Sequence, residues 1–213
     1  ATGVDNLSIL NVKVDTNRDG FDIDCCKNVR ISNCTVNSPW DDAIVLKASY
    51  GLGYFKDTEN VTISDCLVSG YDRGSVLDCT WQRDEPQAPD QGFVTGRIKL
   101  GTESSGGFKN IAITNCIFER CRGLALETVD GGHLEDIVIS NCVMRSCSKA
   151  LVIGYMFSVV RNVVISNCII KESNRGLCIM CHDETALVEN VRVNNCIIDT
   201  RVRAGNWWGN GEP

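Results

Sequence analysis

Apolar and polar positions alternate along much of this chain, and they do so in one phrase written seven times. The copies are NLSILNV (6–12), NVRISNC (28–34), NVTISDC (60–66), NIAITNC (110–116), DIVISNC (136–142), NVVISNC (162–168) and NVRVNNC (190–196). Each runs from Asn or Asp through an apolar and a β-branched position to a second Asn or Asp, then a small apolar residue, six times Cys and once Val. Period-two alternation with β-branched residues predicts a strand and not a helix. Asn suits the turns at both ends of the phrase, because it tolerates left-handed backbone and bonds its own main chain. The last residues fall at 12, 34, 66, 116, 142, 168 and 196, in steps of 22, 32, 50, 26, 26 and 28. Recurrence at such a period is the mark of a repeat architecture.

A second strand phrase precedes most copies: DGFDIDCC (19–26), DAIVLKAS (42–49), GSVLDCT (74–80), GRIKLGT (96–102), GLALETV (123–129), ALVIGYM (150–156) and GLCIMCH (176–182). Two or more strands per coil, stacked in register, predict an all-β fold, a right-handed parallel β-helix of about eight coils in one domain covering 1–213. Coils ~4.8 Å apart make a rod on the order of 40 Å long. The step of 50 is read as two coils, the stretch from Gly74 to Gly96 being a coil whose Asn–Cys phrase is replaced by an insertion at 81–93. The step of 32 holds a second insertion at 49–59. No long amphipathic helical pattern is present, which argues against α/β barrels and doubly wound folds.

Composition narrows the function classes. A net charge of −6 argues against a nucleic-acid partner. No apolar run reaches membrane-spanning length and none reads as a signal peptide. Six of the 13 cysteines end the repeat phrase at equivalent points of their coils, which reads as an internal thiol ladder, free Cys being a small buried hydrophobe. The string CIMCH (178–182) has the spacing of a haem attachment motif. On a strand, Cys178 and Cys181 point to opposite faces, so neither haem nor metal is expected there. No cofactor and no metal is expected anywhere.

Solenoid faces repeat, so chemistry shows where the repeat breaks. Three coils carry polar residues the repeat does not need: Asn17-Arg18-Asp19-Gly20, Trp40-Asp41-Asp42-Ala43 and Gly96-Arg97-Ile98-Lys99. Aligning the second phrases stacks Asp19 on Asp42 one coil apart, with Asp41 beside them, and puts the basic pair two coils further on. An Asp-Asp pair alone is an ordinary solvated turn or a cation site. Three carboxylates in one small area repel, and at least one should have a raised pKa, which points to function.

NRDG, WDDA and RIK, in that order, resemble the Asn-Thr-Asp, Gly-Asp-Asp and Arg-Ile-Lys motifs of glycoside hydrolase family 28, the polygalacturonases and rhamnogalacturonan hydrolases. DGFDIDCCKNVRISNC (19–34) is also similar to that family's writing of this coil. The resemblance implies a right-handed parallel β-helix, a secreted or periplasmic location, and inverting hydrolysis of pectin. It makes Asp41 the general acid and has Asp19 and Asp42 activate the water. Arg97 and Lys99 would hold the substrate carboxylate; Asn17, Trp40 and Arg73 complete the substrate-binding candidates. Inverting hydrolysis calls for an acid and a base ~6.5–9.5 Å apart. The partner implied is an acidic plant polysaccharide or oligosaccharide.

The chain departs from the family pattern in several places. Arg18 stands in place of Thr, Trp40 in place of Gly, and Arg73 roughly where the family has a His, which implies a shifted substrate. The insertions, with Tyr50, Tyr54, Lys56, Trp81, Arg83 and two prolines, are expected to flank the cleft; Glu127 and Asp130 read either as ordinary exposed acids or as contacts to a further sugar. The family's members are longer, so the β-helix is expected to be incomplete at both ends and to self-associate through them. Two alternatives stay open: a polysaccharide lyase on the same fold, and a non-catalytic truncated or engineered β-helix scaffold.

Overall fold

A computed structural model describes residues 1–84 and 94–201. Most of the second insertion (85–93, with its prolines) and the segment after Arg201 lie outside the described residues. The described residues form 20 strands and no helix, so none long and apolar enough to cross a membrane. The Asn–Cys phrases build one parallel sheet: β1 (Ser8–Leu10), β4 (Lys27–Ser32), β7 (Thr58–Ser64), β10 (Phe108–Thr114), β13 (His133–Ser140), β16 (Val159–Ser166) and β19 (Leu187–Asn194). A short strand after each phrase builds the second: β2 (Lys13–Asp15), β5 (Thr35–Asn37), β8 (Leu67–Ser69), β11 (Ile117–Glu119), β14 (Val143–Arg145), β17 (Ile169–Ser173) and β20 (Ile197–Thr200). The second phrase builds the third, six-stranded sheet: β3 (Phe21–Asp24), β6 (Ile44–Ala48), β9 (Ile98–Ser104), β12 (Leu124–Leu126), β15 (Lys149–Ile153) and β18 (Arg175–Ile179). Each strand pairs with its equivalent one turn away, giving a parallel β-solenoid of about seven turns.

The β-branched positions of the phrase face inward and stack on themselves. Ile31, Ile63, Ile113, Ile139 and Ile165 form one fully buried column. The turn Asn residues form ladders outside. Asn28 donates to Asn6 at 3.1 Å, Asn60 to Asn28 at 3.2 Å and Asn110 to Asn60 at 3.1 Å, and each of these four takes a left-handed φ of 55–63°. The cysteines are free thiols, with Cys34, Cys66, Cys116, Cys142 and Cys168 buried as core filler. In the CIMCH segment Cys178 is half-buried and Cys181 exposed, both as free thiols.

The turn count corrects one expectation. β7 pairs directly with β10 and β6 directly with β9, so the step of 50 is a single turn with a long excursion and not two coils. GSVLDCT (74–80) is a run of turns, with Leu77 57% exposed, because both edges it could have paired with are taken. The excursion is tied at its root. Asn37 accepts from Tyr71 N–H at 2.8 Å and donates through Nδ2 to the Tyr71 carbonyl at 2.9 Å, and Val76 N–H donates to Asp15. It closes at Gly96 (φ +52°), where a Cβ would sit 2.3 Å from the Ser69 carbonyl oxygen.

Candidate active site

The site lies along the edge of the third sheet where its strands begin. Asp19 precedes β3, Asp41 and Asp42 precede β6, and Arg97 and Lys99 stand at the start of β9. Backbone bonds hold these starts together: Gly20 N–H donates to the Asp42 carbonyl, Ala43 N–H to that of Arg97 and Gly96 N–H to that of Asp41, each at 2.9 Å. Gly20 is needed for this approach, since a Cβ there would meet the Ala43 carbonyl oxygen at 2.6 Å. Because the excursion is not a coil, Arg97 and Lys99 sit on the turn next to the Asp pair and not two coils away.

Oxygens of Asp19, Asp41 and Asp42 all lie within 4.8 Å of one another. That is tighter than the ~6.5–9.5 Å of a two-carboxylate inverting site. Burial, and then the charge of Asp19, push the Asp41 carboxyl up to about 6, against the pull of the Asp42 N–H, which donates to it at 3.0 Å. The other two carboxylates face cations. Arg97 Nε donates to Asp42 Oδ1 at 2.6 Å, and Lys99 Nζ stands 3.8 Å from Asp42 Oδ2. Lys47 Nζ holds Asp19 at 3.0 Å and Asp22 at 2.8 Å, with Glu103 at 3.5 Å. One group is thus poised to keep a proton beside two that are paired as anions.

Arg97 and Lys99 therefore touch the site's own carboxylates: Arg97 bridges from Asp42 to Glu127, whose Oε1 is 3.8 Å from Nη1. Two of the binding candidates hold buried polar atoms. Trp40 Nε1 and Asn17 Oδ1 are buried without a hydrogen-bond partner among the described residues, where most buried polar atoms have one. Arg73 is exposed in the excursion and makes no ion pair with the carboxylates among the described residues. Asp130 accepts from Ser104 N–H at 2.9 Å, a contact that fixes the turn. Arg18, 75% exposed, lies 3.9 Å from Asp41.

Sequence reasoning missed Lys47, Arg122 and Lys149. Beyond Arg97 a cavity of about 230 Å³ is lined by Lys99, Arg122, Glu127, Lys149 and Tyr155, among others. A larger dent of about 340 Å³ on the other side holds Lys109 and Glu135, already paired at 2.7 Å, and none of the carboxylates just described. The signal for Arg122 and Lys149 was in the second phrase. Asp19-Gly-Phe, Asp42-Ala-Ile, Gly96-Arg-Ile, Arg122-Gly-Leu, Lys149-Ala-Leu and Arg175-Gly-Leu align as one column.

The sequence model for the right-handed β-helix region matches residues 94–212, more than half of the chain. The chain belongs to that family. Comparison with curated proteins and with solved structures brings no match. In this β-helix protein the matched segment holds Arg97, Lys99, Arg122 and Lys149, while the three carboxylates precede it. The family establishes the scaffold; the chemistry rests on the side chains. The three carboxylates could hold a divalent cation by distance, but Asp42 and Asp19 already face Arg97, Lys99 and Lys47.

Proposed function

We propose that this β-helix is a glycoside hydrolase directed at pectin-type, uronate-containing polysaccharides, acting as a secreted or periplasmic protein. The observation that carries the reading is Asp41, a carboxyl pushed up to about 6 beside two ion-paired carboxylates. Environments that drive neighbouring carboxyls apart assign the acid and the base. Asp41 would donate its proton to the glycosidic oxygen as the bond from that oxygen to the anomeric carbon breaks. A water would attack that carbon while Asp42 and Asp19 take its proton. Arg97, fixed on Asp42 at 2.6 Å, holds the base in place. Trp40 and Asn17 would meet sugar hydroxyls.

A second reading, a polysaccharide lyase, is favoured by the 4.8 Å carboxylate spacing, which would cage a cation, and by Lys99. Burial, then Arg97, lower the Lys99 ammonium below the ordinary lysine value, as a base for proton abstraction requires. One experiment separates them: defined pectic oligosaccharides digested in ¹⁸O-water, with products read by mass and ultraviolet absorbance and the new anomer by NMR. Hydrolysis predicts one ¹⁸O per cut, no ultraviolet-absorbing end, and inversion. An unsaturated product would establish the lyase. Retention would make Asp19 or Asp42 a nucleophile and overturn the water step. No cleavage of any pectic substrate would refute both enzymes.

A further inference from the structure

Two cysteines stand where the Asn–Cys phrase does not call for them. Cys121 and Cys147 lie 26 residues apart at the same place on neighbouring turns, after β11 and β14, and their Sγ atoms meet at 3.8 Å. Both are thiols in this structure. Backbone bonds fix the match: Ser148 N–H donates to the Cys121 carbonyl at 3.0 Å, and Asn174 N–H to that of Cys147 at 3.1 Å. One turn further on, the same place holds Ser173, so the turn itself does not require a thiol. The buried phrase cysteines are engaged differently. Each donates to the carbonyl two residues back, at 3.3 Å for Cys34, Cys116, Cys142 and Cys168 and at 3.2 Å for Cys66. The matching bond of Cys147, to the Arg145 carbonyl, is longer at 3.7 Å, and its sulfur rests on that of Cys121. Strands one turn apart set equivalent Cα atoms ~4.8 Å apart, inside the ~4.4–6.8 Å that a disulfide spans. Closing from 3.8 Å to the ~2.05 Å of a sulfur–sulfur bond needs side-chain rotation and little backbone movement.

We infer that Cys121 and Cys147 are a disulfide-forming pair, closed by a disulfide oxidant such as oxidised glutathione into a buried staple between two neighbouring turns. The step balances as two exchanges. The thiolate of one cysteine, its proton given to water, attacks the oxidant's disulfide and releases one thiol; the thiolate of the other then displaces the second. The two protein thiols lose two electrons and two protons, and the oxidant's disulfide is reduced to two thiols. Both side chains are buried, 1% and 0% exposed, so the exchange takes place in the folding chain or an opened turn, and the finished bond is shielded from reductant. A secreted or periplasmic chain meets such an oxidant as it folds. The pairing itself is independent of any glycosidase activity.

The test produces the full chain in an oxidising secretory compartment and, separately, in a reducing cytosol with reductant kept throughout. Free thiols are alkylated under denaturing conditions and the digests are mapped by mass. The oxidised sample should yield a linked Cys121–Cys147 peptide pair, two hydrogens lighter than the separate peptides, with Cys34, Cys66, Cys116, Cys142 and Cys168 alkylated. Its Tm should exceed that of the reduced sample by ~5–10 °C, since the bond closes a loop across 26 residues. Cys147→Ser, which copies Ser173 of the next turn, should abolish that gap, and Cys66→Ser should leave it. Mapping of the unaltered chain decides the pairing even if a variant fails to fold. Cys121 and Cys147 both alkylated in the oxidised sample, or sulfur–sulfur bonds confined to the phrase cysteines, overturns the pair. A linked chain that melts no higher than the reduced one overturns the staple.

Discussion

Asp41→Asn should make the protein more stable and less active at once. Asn is the neutral isostere of a protonated Asp. Its Oδ1 can still accept from Asp42 N–H, the 3.0 Å bond Asp41 makes, and its amide can still donate to Asp19. Folding raises the Asp41 value from 3.8 to about 6, which corresponds to about 3 kcal/mol of preference for the neutral form. The side chain is 29% exposed, so solvent screening brings the expected effect to about 1–2 kcal/mol. The sign follows from linkage. A group whose folded value is raised gives its full stability below the unfolded value, near 3.8, and loses it as pH rises through about 6. The Asn variant has no such loss. Urea unfolding of parent and variant, followed by circular dichroism at pH 3.5, 5, 6 and 8, should show a gap near zero at the lowest pH. The gap should open across pH 4–6 and level off above. Midpoints are the safer readout, since a solenoid can unfold in stages. Turnover of pectic oligosaccharide should fall ~100-fold or more. A variant less stable than the parent at pH 8, or a gain that does not shrink on acidification, would refute the account of Asp41 as a carboxyl held neutral.

Three further outcomes follow from the same contacts. The acid must keep its proton, so kcat/KM should fall tenfold per pH unit above about 6; a rate flat from pH 5 to 8 removes Asp41 from the role. Lys47→Met strands Asp19 and Asp22, held at 3.0 and 2.8 Å, and should lower stability by about 2 kcal/mol at pH 7, read as a drop in Tm that shrinks at pH 3. Gly96→Ala places a Cβ 2.3 Å from the Ser69 carbonyl at φ +52°; it should cost about 2–3 kcal/mol and raise protease sensitivity in the 70–95 excursion, and an unchanged Tm would show that the closure there is loose.

The stacked architecture was legible because its determinant is local and repeated. Each Asn–Cys phrase carries a β-branched residue at the inward position, Ile in six copies and Val193 in the last, and its own left-handed Asn turn, so every copy announces a strand. The number of turns was misread because GSVLDCT (74–80) has the alternation of a strand. Whether such a run becomes one depends on an open edge, and β9 had already taken the edge of β6. The same error pushed Arg97 and Lys99 one coil too far from Asp42. Asp19, Asp41 and Asp42 were legible from phrase alignment, since stacking converts a shared offset into proximity. That Arg97 and Lys99 pair with Asp42 was not, because an offset does not say which way a long cationic side chain turns. Lys47 was hidden for a related reason: within DAIVLKAS (42–49) it reads as the polar position of a strand, and only the fold sets three carboxylates around it.

One position of the second phrase explains why chemistry gathers here. Inward positions must stay apolar on every turn, because each packs on its own copy above and below. The residue two before the first inward one, by contrast, stands at the sheet edge and can change without disturbing the ladder. Down the solenoid it runs Asp19, Asp42, Gly96, Arg122, Lys149, Arg175. Like charges at the ~4.8 Å coil spacing repel by about 1–4 kcal/mol per contact, depending on how much water screens them. A column sorted into acids and then bases accepts that repulsion at three contacts, where alternation would have removed it. The sorting is therefore unfavourable for folding, and only partly relieved by Lys47 below, by Arg97 across the Gly96 gap and by Glu127 beyond it. A ligand that brings a scissile bond to the acidic end and a carboxylate to the basic end would turn that unfavourable arrangement into binding energy.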